Sequence, residues 1–304
     1  MRRFLKRLLF FLLVSAVVFP ALDFLFSRRA QQSSRASIEG WNDLMYGRFD
    51  ADLLVIGSSR AKNHVNPSIL DSVLHTDSYN MGMSGTRIDL QLAQYDLYRL
   101  RHPRPGVIIH CLDVFSLIPI ENVTGRSQYF PFFWDREFRR RVFPLVHFTL
   151  AERFIPLYRY YPGELPELLD RYPRSLQKGF SIIDGRWNSP RIDSVRFERD
   201  GRYRAMFERY VDQVSAEGTQ LVFVLPPMYI EKARRIQALD EMLDYYKGIG
   251  EEYGIPLLDY YFSDISRDST NFLDPNHLNR KGADAFTDTL AHDLLDLRAA
   301  GRLP

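Results

Sequence analysis

Five short apolar runs, separated by stretches with helical periodicity, constrain the fold more than anything else in this chain. They are the runs at 52–56, 77–81, 107–112, 221–225 and 255–259. Runs of this length that are mostly apolar and bounded by turn residues suit strands buried on both faces. Between them, Pro67 can open a short helix through Leu74, since proline is tolerated in a first turn. Arg87 to Arg101 carries Ile88, Leu92, Tyr95, Leu97 and Leu100 at helical spacing, and Pro103 and Pro105 end it. Helices are also expected over Tyr203–Glu217, Glu231–Tyr253 and Lys281–Leu297. Strands alternating with helices predict a three-layer α/β/α domain with about five mostly parallel strands. In such sheets ligands bind beyond the carboxyl ends of the strands. Ser59, Gly82, Gly85 and Asp113 all fall at or just after predicted strand ends.

The N-terminus differs in kind. Arg2, Arg3, Lys6 and Arg7 precede a run from Leu8 to Phe26 that is apolar except for Ser15, Pro20 and Asp23. Its length is near the lower limit for a transmembrane helix. The basic cluster predicts a cytoplasmic N-terminus and a body outside, although Arg28 and Arg29 put positive charge on the other flank. A cleaved signal peptide is the rival reading. No small-x-small cleavage site precedes polar sequence, so an uncleaved anchor is favoured. The expected organisation is an anchor over 1–28, a tether over 29–50 and a domain over 51–300. Trp41, Leu44 and Tyr46 hint at a short helix inside the tether.

Between Val114 and about Ser194 the alternation stops. The stretch 114–195 reads as an insertion rich in aromatics and arginines, with Tyr129-Phe130-Pro131-Phe132-Phe133-Trp134, Arg139-Arg140-Arg141 and Tyr158-Arg159-Tyr160-Tyr161. A satellite core covering the sheet edge is the preferred reading. A cap or groove for sugars and anionic groups is the second, and a membrane-facing surface the third.

A chain of 304 residues can form one large domain or two small ones. Its net charge of +2 argues against a general nucleic-acid binder. Cys111 is the only cysteine, so no intrachain disulfide exists, and its apolar run reads as burial of an inert thiol. There is no internal repeat and no zinc-ligand spacing, so neither metal nor cofactor is expected. Asn122-Val123-Thr124 matches a glycosylation acceptor, a frequent triplet given little weight.

Two short motifs carry the chemistry. Gly57-Ser58-Ser59 follows the first strand, and Asp274-Pro275-Asn276-His277-Leu278-Asn279 precedes the last helix. A hydroxyl nucleophile needs a base to take its proton, and the base needs a carboxylate to orient it. The first motif supplies the hydroxyl; the second supplies imidazole and carboxylate from one loop. Each alone is weak, because a Gly-Ser-Ser is also an ordinary strand-to-helix turn. His64 can line the site or make a local hydrogen bond, and His110 reads as a satisfied core histidine.

Together the motifs resemble the SGNH (GDSL-type) hydrolase family of serine esterases and acyltransferases, over roughly Asp52 to Leu297 apart from the insertion. The resemblance implies Ser59 as nucleophile, with Ser58 where the family has aspartate. It implies His277 as base and Asp274 as its orienting carboxylate. The second block matches Asn80-Met81-Gly82-Met83-Ser84-Gly85. Backbone N–H groups of Ser59 and Gly85 would form the oxyanion hole, with Gly82 in reserve. The third block, usually Gly-x-Asn-Asp, reads His110-Cys111-Leu112-Asp113 and lacks the asparagine donor. Losing such a donor can cost about 3 kcal/mol of transition-state stabilisation. Arg60, Asp113 and Asn279 are candidate substrate-binding residues.

Gly-Ser-Ser, a degenerate third block and an N-terminal anchor are similar to an envelope subgroup that includes the teichoic-acid D-alanylation protein and the alginate acetyltransferases. That implies an enzyme on the outer side of the cytoplasmic membrane. It would transfer or hydrolyse an acyl group, most simply acetyl, on an envelope polysaccharide. A multi-spanning membrane-bound O-acyltransferase would be its partner. A non-catalytic protein of the same fold, binding glycan or that partner, is the alternative; a secreted lipase-like esterase with the insertion as a lid is a third.

Overall fold

The computed structural model describes residues 1–33, 35–47, 49–119, 125–160, 176–187 and 192–304. The sequon at 122–124 lies outside them. The chain forms two compact units, one of residues 1–42 and 123–175, the other of residues 43–122 and 176–304.

The chain opens with α1 (Arg2–Ala30) and α2 (Ala36–Met45), then runs through β1 (Leu53–Gly57), α3 (Ser59–His64), α4 (Pro67–Leu74), β2 (Ser78–Asn80), α5 (Ile88–Arg99) and β3 (Val107–Cys111). Three short helices follow, α6 (Arg136–Arg141), α7 (Phe143–Val146) and α8 (Leu150–Phe154), and a small ribbon of β4 (Leu176–Gln177) and β5 (Phe180–Ser181). The remainder is β6 (Val195–Arg196), α9 (Gly201–Ala216), β7 (Gln220–Leu225), α10 (Ile230–Ala233), β8 (Ile236–Gln237), α11 (Leu239–Tyr253), β9 (Leu257–Asp259), α12 (Asp264–Arg267), the hairpin of β10 (Phe272–Asp274) and β11 (His277–Leu278), and α13 (Arg280–Ala299).

The larger unit is built on a five-stranded sheet in the order β2-β1-β3-β7-β9, every pair parallel. This is the expected α/β architecture. Val55, Ile109 and Val224 point to one face and join Leu70, Phe286 and Leu290 of α4 and α13 in a single apolar core. On the other face His110 and Phe223 meet Phe207 and Tyr210 of α9. The strand order reverses between β1 and β3. A crevice opens at such a switch point, beyond the strand ends. Gly57 closes β1 there with φ +153°, and a Cβ would stand 2.7 Å from the Cys111 carbonyl. Only glycine allows this turn so close to β3.

The helix expected over Glu231–Tyr253 is divided. The chain leaves α10 to pair Ile236 in parallel with Val195, and Ala238 takes φ +59° before α11 begins. Pairing with a distant strand overrides a continuous helical pattern.

In the smaller unit α1 extends through Ala30 and α2 begins at Ala36, so most of the expected tether is helix. Trp41 is fully buried, edge-on to Tyr129 and Phe138. Asp23 of α1 is almost fully buried and forms an ion pair with Arg159. It also accepts from Trp134 Nε1 at 2.9 Å and from the Leu157 amide at 2.6 Å. One turn on, Ser27 Oγ lies 2.8 Å from the Tyr160 hydroxyl. Most of α1 before Asp23 is exposed, and among the described residues it is the one helix long and apolar enough to cross a membrane.

Candidate active site

Ser59 is the first residue of α3, directly after Ser58 caps the helix by accepting from the Arg60 amide. A cap of this kind stabilises by about 1 kcal/mol. It leaves the Ser59 N–H without an intrahelical acceptor and aims the helix dipole at the crevice.

The β10–β11 hairpin brings the other motif to the same place. Ser59 Oγ lies 2.8 Å from His277 Nε2, and His277 Nδ1 lies 2.8 Å from Asp274 Oδ2. A carboxylate can only accept, so Nδ1 carries the proton and Nε2 is left to accept from the serine hydroxyl. Asp274 Oδ1 accepts from the amides of Asn276 and His277, at 2.8 and 3.0 Å. Burial pushes the Asp274 carboxyl up, but the hydrogen bond and charge of His277 and the two amides outweigh it. Its pKa therefore lies below the ordinary value, and the group stays anionic. Ser59 and His277 remain part-exposed, as groups that meet a substrate must.

His64, at the end of α3, is fully buried beneath this hairpin. Its Nε2 accepts from the Leu278 amide at 3.1 Å, and its ring stands perpendicular to that of His277, centroids 6.3 Å apart. Burial first, then the positive charges of Arg60 and His277, hold its pKa well below the usual imidazole value. A neutral ring suits its role, because protonation would place a donor against the Leu278 N–H. His64 thus ties the helix that begins at Ser59 to the strand that carries His277. Proximity of His64 to Ser59 in sequence was the available signal, but the partner is over two hundred residues away.

The remaining candidates divide. Asp113 is buried and accepts from Ser58 Oγ at 2.8 Å and from the Phe115 amide at 2.7 Å. The hydroxyl that stands at the first-block departure and the carboxylate that ends the third block are therefore partners. Arg60 is also buried; its guanidinium donates to the Pro226 carbonyl and, at 3.0 Å, to the Tyr261 hydroxyl. These bonds commit it to the fold and not to a ligand. Asn279 caps α13, accepting from the Gly282 amide and donating to the Thr270 carbonyl at 2.8 Å. Gly82 presses on α3, where a Cβ would lie 2.4 Å from the Lys62 nitrogen, and its N–H donates to Asn80 Oδ1 at 2.8 Å. That amide is spent. Gly85 is half-exposed, and among the described residues no acceptor takes its N–H.

Arg87, two residues beyond Gly85, was not among the sequence candidates. Its guanidinium lies over the Phe115 ring, 5.1 Å from the centroid. Burial lowers its pKa against the pull of Asp113 and Asp89. It is a part-exposed positive group beside the third-block departure. His110 is buried with Nε2 3.1 Å from Gln91 Oε1, and burial lowers its pKa to about 3. Burial raises the Cys111 thiol to about 12, which keeps it inert. Among the described residues no cluster of three or more His, Cys, Asp or Glu side chains is arranged to hold a metal ion.

No family model matches the chain, and no curated protein matches it. Solved structures do. A protein of the G-D-S-L family described as lipolytic, from Desulfitobacterium hafniense, is similar with a TM-score of 0.41 and 12% identity over 79% of this chain and 97% of its own. One described as a platelet activating factor, from Streptococcus pneumonia, gives a TM-score of 0.46 and 11% identity over 90% of this chain and 98% of its own. One described as an acylhydrolase, from Bacteroides fragilis, gives 0.37 and 11% over 80% and 87%.

Proposed function

We propose that this chain is a membrane-anchored serine esterase or O-acyltransferase. Its site would lie outside the cytoplasm and work through an acyl-serine intermediate. The observation that carries the reading is the continuous relay from Ser59 Oγ through the His277 ring to Asp274, with both links at 2.8 Å.

The chemistry follows from the relay. Ser59 Oγ attacks an ester carbonyl as its proton passes to His277 Nε2. Asp274 stabilises the imidazolium that forms. The amides of Ser59 and Gly85 face the developing oxyanion. The imidazolium returns the proton to the departing alkoxide, leaving acyl-Ser59. Water or a sugar hydroxyl then gives its proton to His277 as it takes the acyl group, and the imidazolium returns that proton to the departing Ser59 Oγ. Arg87 is the candidate that supplies positive charge where the third-block asparagine is absent.

The anchored reading draws support from the far end of α1. Asp23 and Ser27 are buried partners of Arg159 and Tyr160. Cleavage after the apolar run would leave Arg159 without its counter-ion inside a folded unit, a costly state. The basic residues before Leu8 favour an outward-facing body. An acyl ester, most simply acetyl, on an envelope polysaccharide is then the substrate class within reach, and a multi-spanning membrane-bound O-acyltransferase the partner class.

The test is labelling of the purified full chain by a fluorophosphonate, together with turnover of p-nitrophenyl acetate against long-chain esters. Labelling and turnover that vanish in Ser59→Ala but persist in Ser58→Ala are expected, with acetate preferred. Preference for long chains would favour a lipase. Absence of both labelling and turnover in the wild type would reject the enzyme in favour of the binding protein.

A further inference from the structure

Unit 1 carries an apolar surface that is exposed among the described residues. Leu150 is 73% exposed, Phe154 76%, Ile155 53%, Tyr158 46% and Trp134 39%. Among the described residues the larger unit exposes only Tyr46, Leu100 and Phe262 of comparable size, scattered singly. Leu150 and Phe154 are one helical turn apart and share a face of α8. That helix is no frayed end. Thr149 and Glu152 close it in a reciprocal capping box, and Arg126 binds Glu152 at 2.6 Å. The fold fixes α8 firmly and buries none of it.

The surface is attached to α1 at a defined height. Trp134 and Leu157 both hydrogen-bond Asp23, and Trp134 meets Phe24 edge-on at 5.9 Å. Ile155 lies two residues before Leu157 and Tyr158 directly after it, so these side chains sit within a few residues' reach of Asp23. The apolar run of α1 from Leu8 to Leu22 spans only about 22 Å as helix. Continued to Phe26 it reaches about 28 Å, close to the roughly 30 Å hydrocarbon core. The helix therefore needs Asp23–Phe26 to complete a span, and Asp23 is tolerated because Arg159 neutralises it out of contact with solvent. Whatever is bonded to Asp23 then lies at the edge of the hydrocarbon.

We infer that the α8 edge of unit 1 inserts into the outer lipid interface beside α1, so that the protein is seated on the bilayer as well as tethered through it. Phe154, Ile155 and Leu150 enter the acyl boundary. Trp134 and Tyr158, each with an apolar body and a polar tip, lie at headgroup level. The exposed Arg139, Arg140 and Arg153 meet lipid phosphates. The inference rests on α1 spanning a membrane, and its test separates the two.

The full chain, with Cys111→Ala to remove the buried thiol, is reconstituted one copy per nanodisc of phosphatidylcholine and phosphatidylglycerol. Nitroxides are placed singly at Phe154→Cys and Ile155→Cys. Leu12→Cys serves as a reference within α1, and Lys247→Cys as a reference on the larger unit. Collision with oxygen and with a water-soluble nickel chelate is read by power saturation. The expected result is lipid-type behaviour, oxygen-rich and nickel-poor, at positions 154 and 155, shallower than at position 12 and opposite to position 247. Water-type behaviour at 154 and 155 with position 12 in lipid overturns the seated edge and leaves the span intact. Water-type behaviour at position 12 overturns both. Shielding of 154 and 155 from both reagents overturns the inference in favour of protein contact. In discs loaded with two copies, spin–spin broadening would identify the contact as a second copy.

Discussion

The two units treat polar and apolar groups in opposite ways. The larger one buries its apolar side chains on both faces of a parallel sheet and leaves the hydrogen-bonded pair Ser59 and His277 part-exposed at the strand ends. The smaller one buries an ion pair, Asp23 with Arg159, and leaves Leu150, Phe154 and Ile155 in the open. A surface that meets water and one that, as we infer, meets lipid would differ in this inverted sense. The contrast teaches that a buried charge is not always a sign of a reacting centre. Here the buried salt bridge holds a helix, while the relay of Ser59, His277 and Asp274 sits where solvent can still reach.

The strongest test of that contrast removes chemistry from one unit only. Ser59→Ala and His277→Ala should each lower kcat on p-nitrophenyl acetate by on the order of 10⁴-fold or more, with unfolding temperature unchanged. Unchanged kcat in both would place the reacting groups elsewhere. Next in size is the buried pair. Arg159→Met should destabilise unit 1 by about 3–5 kcal/mol, because Asp23 is left charged and unpaired. The double change Asp23→Asn with Arg159→Met, which removes the charge but keeps an acceptor for Trp134 and Leu157, should recover most of the loss in detergent-solubilised thermal unfolding. A double variant no better than the single would mean that the pair does more than neutralise itself.

A smaller effect is expected at the joint between the two motifs. His64→Phe keeps the bulk but removes the acceptor for the Leu278 amide, leaving a buried donor unsatisfied at about 1–3 kcal/mol. If His64 positions the hairpin, kcat falls while labelling of Ser59 slows and the unfolding temperature drops only modestly. A loss of stability with normal kcat would make it a packing residue alone.

The smallest and most diffuse effect is in pH. His64 and His110 are held neutral by burial, His110 down to about 3. Their folded pKa values lie below the unfolded value of about 6.5. Between those limits the unfolded chain binds more protons, so stability is complete above about pH 6.5 and declines as pH falls. Each histidine contributes a slope of at most about 1.4 kcal/mol per pH unit. Trp187 fluorescence should report the larger unit loosening on acidification, with a flatter profile in His110→Gln. An acid profile unchanged by that substitution would assign the proton uptake to other groups.

Much of the larger unit was legible because burial on both faces writes apolar runs into the sequence. The α4 helix from Pro67 to Leu74 and the end of β1 at Gly57 follow from local signals. The relay residues were legible from a resemblance and from their position at strand ends. What was not legible depended on distant partners. Arg60 beside Ser59 looks like a ligand-binding arginine until Pro226 and Tyr261 occupy it. Gly82 looks like an oxyanion donor until Asn80 takes its N–H. The aromatic insertion has no period to read, because Trp41, Tyr129 and Phe138 pack ring on ring with no sheet to impose alternation.

His277 lies on the last hairpin, and α13 behind it supplies Phe286 and Leu290 to the core that also holds α4. Ser59 emerges early in synthesis and His277 very late. A nascent or truncated chain ending before Phe272 therefore carries a serine with no imidazole beside it. If the relay is the acyl-transfer site we propose, the growing polypeptide stays harmless to esters until α13 has docked behind the last hairpin.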